Sequence, residues 1–171
     1  MSEPLHRLCA LVTGLDDRIQ DAVEAASGLT GAAPDALATL GLAPGLRVED
    51  LAGMLRISHS GAVRTVDRLV AAGLAERRPS AADRRTVELR LTEAGGRRRR
   101  AALDARDRVV GEALAVLSPE DQRTFGALVD RLLTGLAVAA GDDHSLCRLC
   151  DPDDCASGCP VEVGSALASA G

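Results

Sequence analysis

Apolar residues recur along most of this chain at intervals of three and four positions, the spacing of an amphipathic helix. The first such run spans residues 3–26 and places six apolar side chains on one face: Leu5, Leu8, Val12, Leu15, Ile19 and Ala22. A break over 28–33 precedes a short predicted helix over 34–42. Two more helices are predicted, over 92–117 and from Ser118 to about residue 140. The pattern therefore predicts a mainly helical chain.

Two short helices are predicted in the centre of the chain, over residues 47–72. Apolar positions at helical spacing indicate the first helix over 48–55. After a break, Ser58 and Ser60 are good N-cap candidates for a second helix that runs to Ala72. A glycine follows and is expected to end it.

The pattern then changes to an alternation of period two. Residues 74–78 and 86–91 are predicted to be two strands around a loop over 79–84. The strand residues expected to share one face are Val87, Leu89 and Leu91. Two helices joined by a sharp turn and followed by a basic hairpin predict a winged helix-turn-helix, a fold that reads duplex DNA.

The exposed side of the second helix carries the residues expected in the major groove. Arg64 and Arg68 are four residues apart and therefore share a face. Together with the start of the helix they form the predicted major-groove set: Ser58, His59, Ser60, Gly61, Arg64 and Arg68. In the hairpin loop, Arg84 and Arg85 are expected to enter or flank the minor groove, with Asp83 placed to orient one of them.

This central region resembles the MarR family of bacterial regulators. Residues 57–69 look like the family's recognition helix, and 74–78 match the strand that follows it. Residues 83–95 match the wing signature, an aspartate and arginines running into Leu-Thr-x-x-Gly. The likeness extends from about residue 5 to 140. The sequence departs from the family pattern in two places. The usual single glycine after the wing is doubled at Gly95-Gly96, and the last thirty residues are not typical of the family.

The resemblance implies a homodimer built from the first and last helices. It also implies that a small phenolic or aromatic compound, bound between the dimerisation and DNA-binding parts, can release DNA. The chain has a single aromatic residue, Phe125, which argues against a stacking pocket for such a compound.

The charge distribution agrees with DNA binding through one face. Residues 56–108 hold fourteen arginines against seven acidic residues, a net charge of +7, although the whole chain carries −5. All twenty basic residues are arginine. The run Arg97–Arg100 points in all directions on a helix, so it is expected to be a solvated helix start with at most one phosphate contact.

The terminal helices carry more apolar face than a small winged helix can cover. A second copy of the chain would bury these faces and would set two recognition helices about one DNA turn apart, over a roughly palindromic site. The alternative is a monomer in which the same faces pack internally.

Four of the five cysteines fall within thirteen residues near the end of the chain, spaced C-x2-C-x4-C-x3-C-P. In a reducing compartment this spacing favours a metal centre over disulfides. The predicted ligands are Cys147, Cys150, Cys155 and Cys159, with His144 in reserve. Both zinc and an iron–sulfur cluster accept four thiolates. The C-x2-C-x4 opening resembles compact zinc knuckles, whereas the dense spacing and the final Cys-Pro resemble ferredoxin-like runs, and zinc is favoured slightly. The alternative is a disordered acidic tail.

These features predict one winged-helix domain over 1–140, with a DNA-binding part (47–95) and dimerisation helices (3–26 and 96–140). A cysteine-rich appendage (142–160) and a flexible tail (161–171) follow. The fold class is mainly α, with a small β-hairpin. We expect a homodimeric, sequence-specific regulator that represses transcription, with a metal centre that senses redox or metal state.

Two alternatives are a ligand-responsive repressor with a structural zinc tail and a winged helix that docks proteins. An enzyme is not expected, because the three histidines lie in no recognisable nucleophile or metalloprotease motif. No apolar run approaches the ~20 residues that span a bilayer, and no secretory signal is recognised, so a cytoplasmic protein is expected.

Overall fold

The computed structural model describes residues 3–80, 83, 85–140, 146 and 159–162. The elements in this part of the chain are α1 (Glu3–Ser27), α2 (Ala33–Leu42), α3 (Val48–Met54), α4 (His59–Ala71), β1 (Ala75–Pro79), β2 (Val87–Leu91), α5 (Glu93–Leu114) and α6 (Pro119–Ala140). The strands pair antiparallel, with Ala75 opposite Leu91 and Pro79 opposite Val87. The predicted fold class, mainly helical with a small β-hairpin, is confirmed.

The core lies where α2, α3, α4 and the hairpin meet. Its fully buried side chains include Leu37 and Leu40 of α2, Leu51 of α3, Leu69 of α4 and Leu89 of β2. Each comes from the apolar face of its element, so one cluster holds the second helix of the helix-turn-helix against the hairpin. The loop before α3 also joins the sheet, since the Leu89 amide donates to the Leu46 carbonyl at 2.8 Å.

Along β2, the side chains of one face differ in their burial. Leu89 is buried, but Val87, which was expected on the same face, is 47% exposed. Val87 lies at the hairpin tip, opposite Pro79. Alternation gives the face of a strand and does not show how far the core reaches.

The long helices carry large exposed apolar side chains. On α1 and α6 these are Leu5, Leu8, Leu11, Val12, Phe125, Leu128, Leu132, Leu136 and Val138. Among the described side chains of α6, only Ala137 is buried. The internal packing required by the monomer alternative is therefore not found in the described part of the chain.

The doubled glycine has a different role at each position. A Cβ on Gly95 would lie 1.9 Å from the Leu74 carbonyl oxygen, so a side chain cannot fit between α5 and the chain before β1. The nearest atom to a Cβ on Gly96 is Arg100 Nη1, at 3.9 Å. Only the first glycine is required by packing.

The four arginines at the start of α5 were predicted to be a solvated run, but they are not all exposed. Arg99 is only 8% exposed, and its Nε donates to the Ala38 carbonyl at 3.3 Å. Arg98 Nη1 donates to the Ser27 carbonyl at 2.8 Å. The prediction was wrong for Arg99, because a long guanidinium arm can reach the carbonyl groups of neighbouring helices. Arg98 also makes such a bond, but its side chain is exposed as predicted.

The cysteine-rich segment is described only at Leu146 and at residues 159–162. Cys159 is half-buried. Cys147, Cys150, Cys155 and His144 lie outside the described residues, so the metal centre stays a prediction. Among the described helices, none is long and apolar enough to cross a membrane.

Candidate nucleic-acid interface

A tight turn sets the angle between α3 and α4. Arg56 adopts a left-handed conformation, with φ of 51°. Its amide donates to the Gly53 carbonyl at 3.0 Å, and the next amide, of Ile57, donates to Ala52 at 3.1 Å. These bonds close the turn directly after α3, and α4 begins at His59.

Ser58 is the N-cap of α4. It is extended, and its Oγ accepts a hydrogen bond from the Gly61 amide at 3.1 Å. Ser60 lies in the first turn, with its Oγ 3.3 Å from that of Ser58. Of the two serines predicted as caps, the structure therefore selects Ser58. The remaining free amides and the helix dipole make this end of α4 attractive to a phosphate.

The two faces of α4 separate as predicted in outline. Ala62, Thr65, Val66 and Leu69 are buried. The exposed side brings together Ser58, His59, Ser60, Arg64 and Arg68, with Gly61 half-buried between them. The predicted major-groove set therefore lies on one continuous surface.

The two arginines of this surface differ in their surroundings. Arg64 is exposed, and no hydrogen bond or ion pair joins it to any of the described residues. The Arg68 guanidinium instead turns towards the loop between α1 and α2, where Nη2 lies 3.2 Å from the Thr30 carbonyl oxygen and 3.5 Å from Thr30 Oγ1. Sequence spacing placed them on one face and could not distinguish them.

The hairpin loop, or wing, is organised by Asp83. One carboxylate oxygen accepts from the Arg85 amide at 2.9 Å, and the other accepts from the Thr86 hydroxyl at 3.3 Å. The Thr86 amide returns to the Asp83 carbonyl at 2.9 Å. Asp83 therefore holds the backbone of Arg85, whose side chain is exposed. Arg84 lies outside the described residues.

Three ion pairs of the hairpin were missed by the sequence analysis. Arg77 of β1 binds Asp67 of α4 at 2.7 Å, which ties the hairpin to the recognition helix. The other pairs are Arg78 with Glu76 at 2.7 Å and Arg90 with Glu88 at 3.0 Å. Partners two residues apart on a strand share a face, so the last two could have been expected. The Asp67 pair depends on the angle between α4 and β1.

Two carboxylates near this interface are held in their ionised form. A hydrogen bond from the Ser80 hydroxyl, followed by one from Arg90, lowers the pKa of Glu88. At the start of α3, the Arg47 guanidinium donates to Asp50 at 3.0 Å and lowers the pKa of that carboxyl. Both pairs hold loops that border the hairpin or the helix-turn-helix.

A cavity of about 320 Å³ lies at the junction of α2, β2 and α5. Its lining residues are Leu40, Gly41, Pro44, Arg90, Leu91, Gly96, Arg99 and Arg100. Three guanidinium groups and no carboxylate stand among these lining residues, so the cavity favours an anion. A second cavity, of about 280 Å³, lies between α1, α2 and the turn after α3, and Glu24 and Asp35 are among its lining residues.

The fold is a winged helix, and comparison with known proteins shows which family it resembles. The model of the MarR family matches residues 27–86, from the end of α1 into the wing. The YusO protein of Bacillus subtilis is 26% identical, with a TM-score of 0.66 over 77% of this chain and 93% of that one. The reduced form of MarR from Escherichia coli is 25% identical, with a TM-score of 0.65 over 78% and 98%.

A third similar structure shows the fold alone. MepR, a transcription regulator of the Staphylococcus aureus multidrug efflux pump MepA, is 18% identical, with a TM-score of 0.68 over 80% of this chain and 99% of that one. No curated protein sequence matches the chain. The family model covers about a third of the chain, so these comparisons show a winged-helix fold that is similar to that of the MarR family of regulators. Members of this family are transcription regulators and not enzymes; they bind DNA and typically act as dimers.

Proposed function

We propose that the chain is a homodimeric, sequence-specific DNA-binding regulator that represses transcription. The observation that carries this proposal is the surface formed by the first turns of α4 and the wing. It combines a capped helix start, an Arg64 side chain that bonds to none of the described residues and the exposed Arg85 side chain on a MarR-type fold. A helix N-terminus with a free guanidinium suits a major groove, and a basic loop suits the flanking phosphates.

The exposed apolar faces of α1 and α6 support the dimer. Leu8 and Leu132 are 46% and 58% exposed, and both stand in stripes of similar residues. A soluble monomer seldom exposes so many large apolar side chains in rows. Sedimentation should give twice the chain mass, and Leu132→Glu should give the mass of one chain. A wild-type protein that sediments as one chain at all concentrations would contradict the dimer.

DNA binding is tested by selection from a random duplex library, followed by affinity measurements at one salt concentration. The selected sequences should be roughly palindromic, with half-sites about one helical turn apart. Arg64→Met should weaken binding to the selected duplex. Arg18→Met is the matched control, because Arg18 is an exposed arginine of α1 that pairs with Glu112 of α5. If no duplex is enriched, the protein-docking alternative gains support.

The direction of regulation requires a separate experiment. The selected duplex, placed between a promoter and a reporter gene, should lower reporter expression when the chain is produced. An increase would identify an activator and would contradict repression without affecting the DNA-binding proposal.

The four tail cysteines are proposed to hold a metal that senses redox or metal state. Cys147, Cys150, Cys155 and Cys159 supply a thiolate donor set that suits zinc and also suits an iron–sulfur cluster. Four bound thiolates would tie the segment after α6 into a fixed shape. Protein purified without oxygen should contain metal, and a visible absorption band would favour iron over the slightly preferred zinc. If the metal-free or oxidised form binds the selected duplex with unchanged affinity, the centre is structural.

The arginine-lined cavity supports a second candidate function, a repressor controlled by a small anion. Arg90 and Arg99 already have protein partners, so Arg100 is the cavity guanidinium best placed to accept a ligand. Citrate or pyrophosphate should raise the midpoint of thermal unfolding more than chloride does at equal ionic strength, and Arg100→Gln should remove the difference. Equal effects of all three salts would leave the cavity without a ligand role.

A further inference from the structure

Side chains from three helices converge on the short loop between α1 and α2. Arg98 of α5 donates to the Ser27 carbonyl at 2.8 Å, at the end of α1. Arg68 of α4 donates to the Thr30 carbonyl at 3.2 Å. Glu24 of α1 accepts from the Gly31 amide at 3.0 Å. The loop backbone is thus bonded to side chains of α1, of α5 and of the recognition helix α4.

The loop between α1 and α2 makes a close contact at its beginning. Gly28 and Gly31 both adopt left-handed conformations, which suit glycine, with φ of 63° and 64°. A Cβ on Gly28 would lie 3.0 Å from Arg98 Nη1, so the guanidinium sits directly against the loop. Ser27, at the beginning of the loop, is fully buried. A bond to the Thr30 carbonyl therefore attaches α4 to a well-determined point.

We propose that Arg68 is a positioning residue for DNA binding and makes no phosphate or base contact of its own. It ties the last turn of α4 to the α1–α2 loop, and through Arg98 to α5. The inference rests on the proposed DNA-binding function. It revises the sequence-based expectation, in which Arg68 and Arg64 act alike.

The physical basis is that base contacts require α4 at a defined depth and angle, whereas phosphate contacts tolerate small shifts. Arg68 is ten residues beyond the Ser58 cap, in the last turn of the helix, so loss of its bond can change the orientation of the helix that carries Arg64. Loss of the tether should thus reduce selectivity between the preferred and random duplexes. The number of phosphate charges neutralised should stay the same.

The first arm of the test needs no DNA. Arg68→Met keeps the length of the side chain and removes its donors, and Arg64→Met is the matched control on the same helix. In the dimer without DNA, amide hydrogen exchange over residues 28–33 should become faster in the Arg68 variant and stay at the wild-type rate in the Arg64 variant. If the loop exchanges at the wild-type rate in both variants, the tether does not hold the loop and the proposal fails.

The second arm measures affinity for the selected duplex and for a random duplex across a series of salt concentrations. Arg68→Met should weaken binding to the selected duplex about three- to tenfold, as expected for one hydrogen bond. Binding to the random duplex should be unchanged, and so should the slope of log affinity against log salt. A residue that contacts a phosphate would lower that slope by about 0.9.

Each result decides between distinct roles. A reduced salt slope in Arg68→Met would make Arg68 a DNA contact and overturn the proposal. Unchanged affinity for the selected duplex, measured well below the unfolding temperature, would leave the bond only structural and also overturn it. If the wild-type dimer binds no duplex, the proposed function fails, and the exchange experiment still shows whether Arg68 holds the loop.

Discussion

The two glycines at the start of α5 allow a sharp test of the packing at the base of the wing. Gly95→Ala would place a Cβ 1.9 Å from the Leu74 carbonyl oxygen, whereas Cβ contacts below 3.0 Å essentially never occur in proteins. The helix would have to move by at least 1.1 Å, the difference between 3.0 and 1.9 Å. The obstructing atom is backbone, so no side-chain rotation can relieve the contact.

The hydrogen bonds around this glycine set the cost of that movement. Thr92 caps α5 by accepting from the Gly95 amide at 3.0 Å, and its own amide donates to the Leu74 carbonyl at 3.1 Å. Overpacking costs about 1–3 kcal/mol, and loss of the cap costs about 1 kcal/mol. Replacing glycine in a helix returns up to about 1 kcal/mol. Gly95→Ala should therefore lower the free energy of unfolding by about 1–3 kcal/mol.

Gly96→Ala is the matched control. The new methyl group would meet nothing closer than 3.9 Å, so only the helix preference for alanine remains, and stability should rise by up to about 1 kcal/mol. Both variants are compared by urea denaturation followed by far-UV circular dichroism, at one protein concentration. If the two variants differ by less than about 0.5 kcal/mol, the close approach of α5 to Leu74 is wrong.

Three further outcomes are expected. Arg64→Ala should cost about 1–3 kcal/mol of specific binding if the side chain reads a guanine, and an equal loss on random DNA would leave only a phosphate contact. Asp83→Ala should weaken DNA binding even though it removes a negative charge, because the carboxylate holds the Arg85 amide; tighter binding would contradict this role. The lowered pKa of Asp50 means that its bond to Arg47 stabilises the fold above the ordinary value of 3.8 and is lost as pH falls through the lowered pKa. Asp50→Asn should therefore cost at most about 1 kcal/mol at neutral pH, since the pair is exposed, and nothing in strong acid. A difference that persists in strong acid would exclude this explanation.

Local patterns were enough to predict the helices and the hairpin. The apolar positions of α1 and α4 and the alternation around Leu89 depend only on the period of each element, which is written in consecutive residues. Two serines were predicted as possible caps of α4. The structure shows that Ser58 is the cap, two residues after the turn at Arg56. The predicted major-groove residues lie on one surface for the same reason, since they all belong to a single helix.

Long-range bonds of arginine side chains could not be predicted in this way. Arg68 and Thr30 are 38 residues apart, and Arg98 and Ser27 are 71 apart, so their meeting depends on how whole helices are arranged. Periodicity shows that an arginine lies on a polar face. It does not show which carbonyl a flexible side chain of that length will reach. The buried Arg99 escaped prediction because charged residues are seldom buried.

The sparse packing of α6 against its own chain has a consequence for the lifetime of the protein in a cell. Only Ala137 is buried among its described side chains, and most of the stability of a helix in a protein comes from tertiary packing. A protomer that has not met a second copy would therefore open at α6 far more often than at its winged-helix core, and it would be the preferred substrate for proteolysis. Under the proposed dimer, pairing protects the chain from degradation. The amount of regulator would then fall more steeply than its rate of synthesis whenever synthesis is slow.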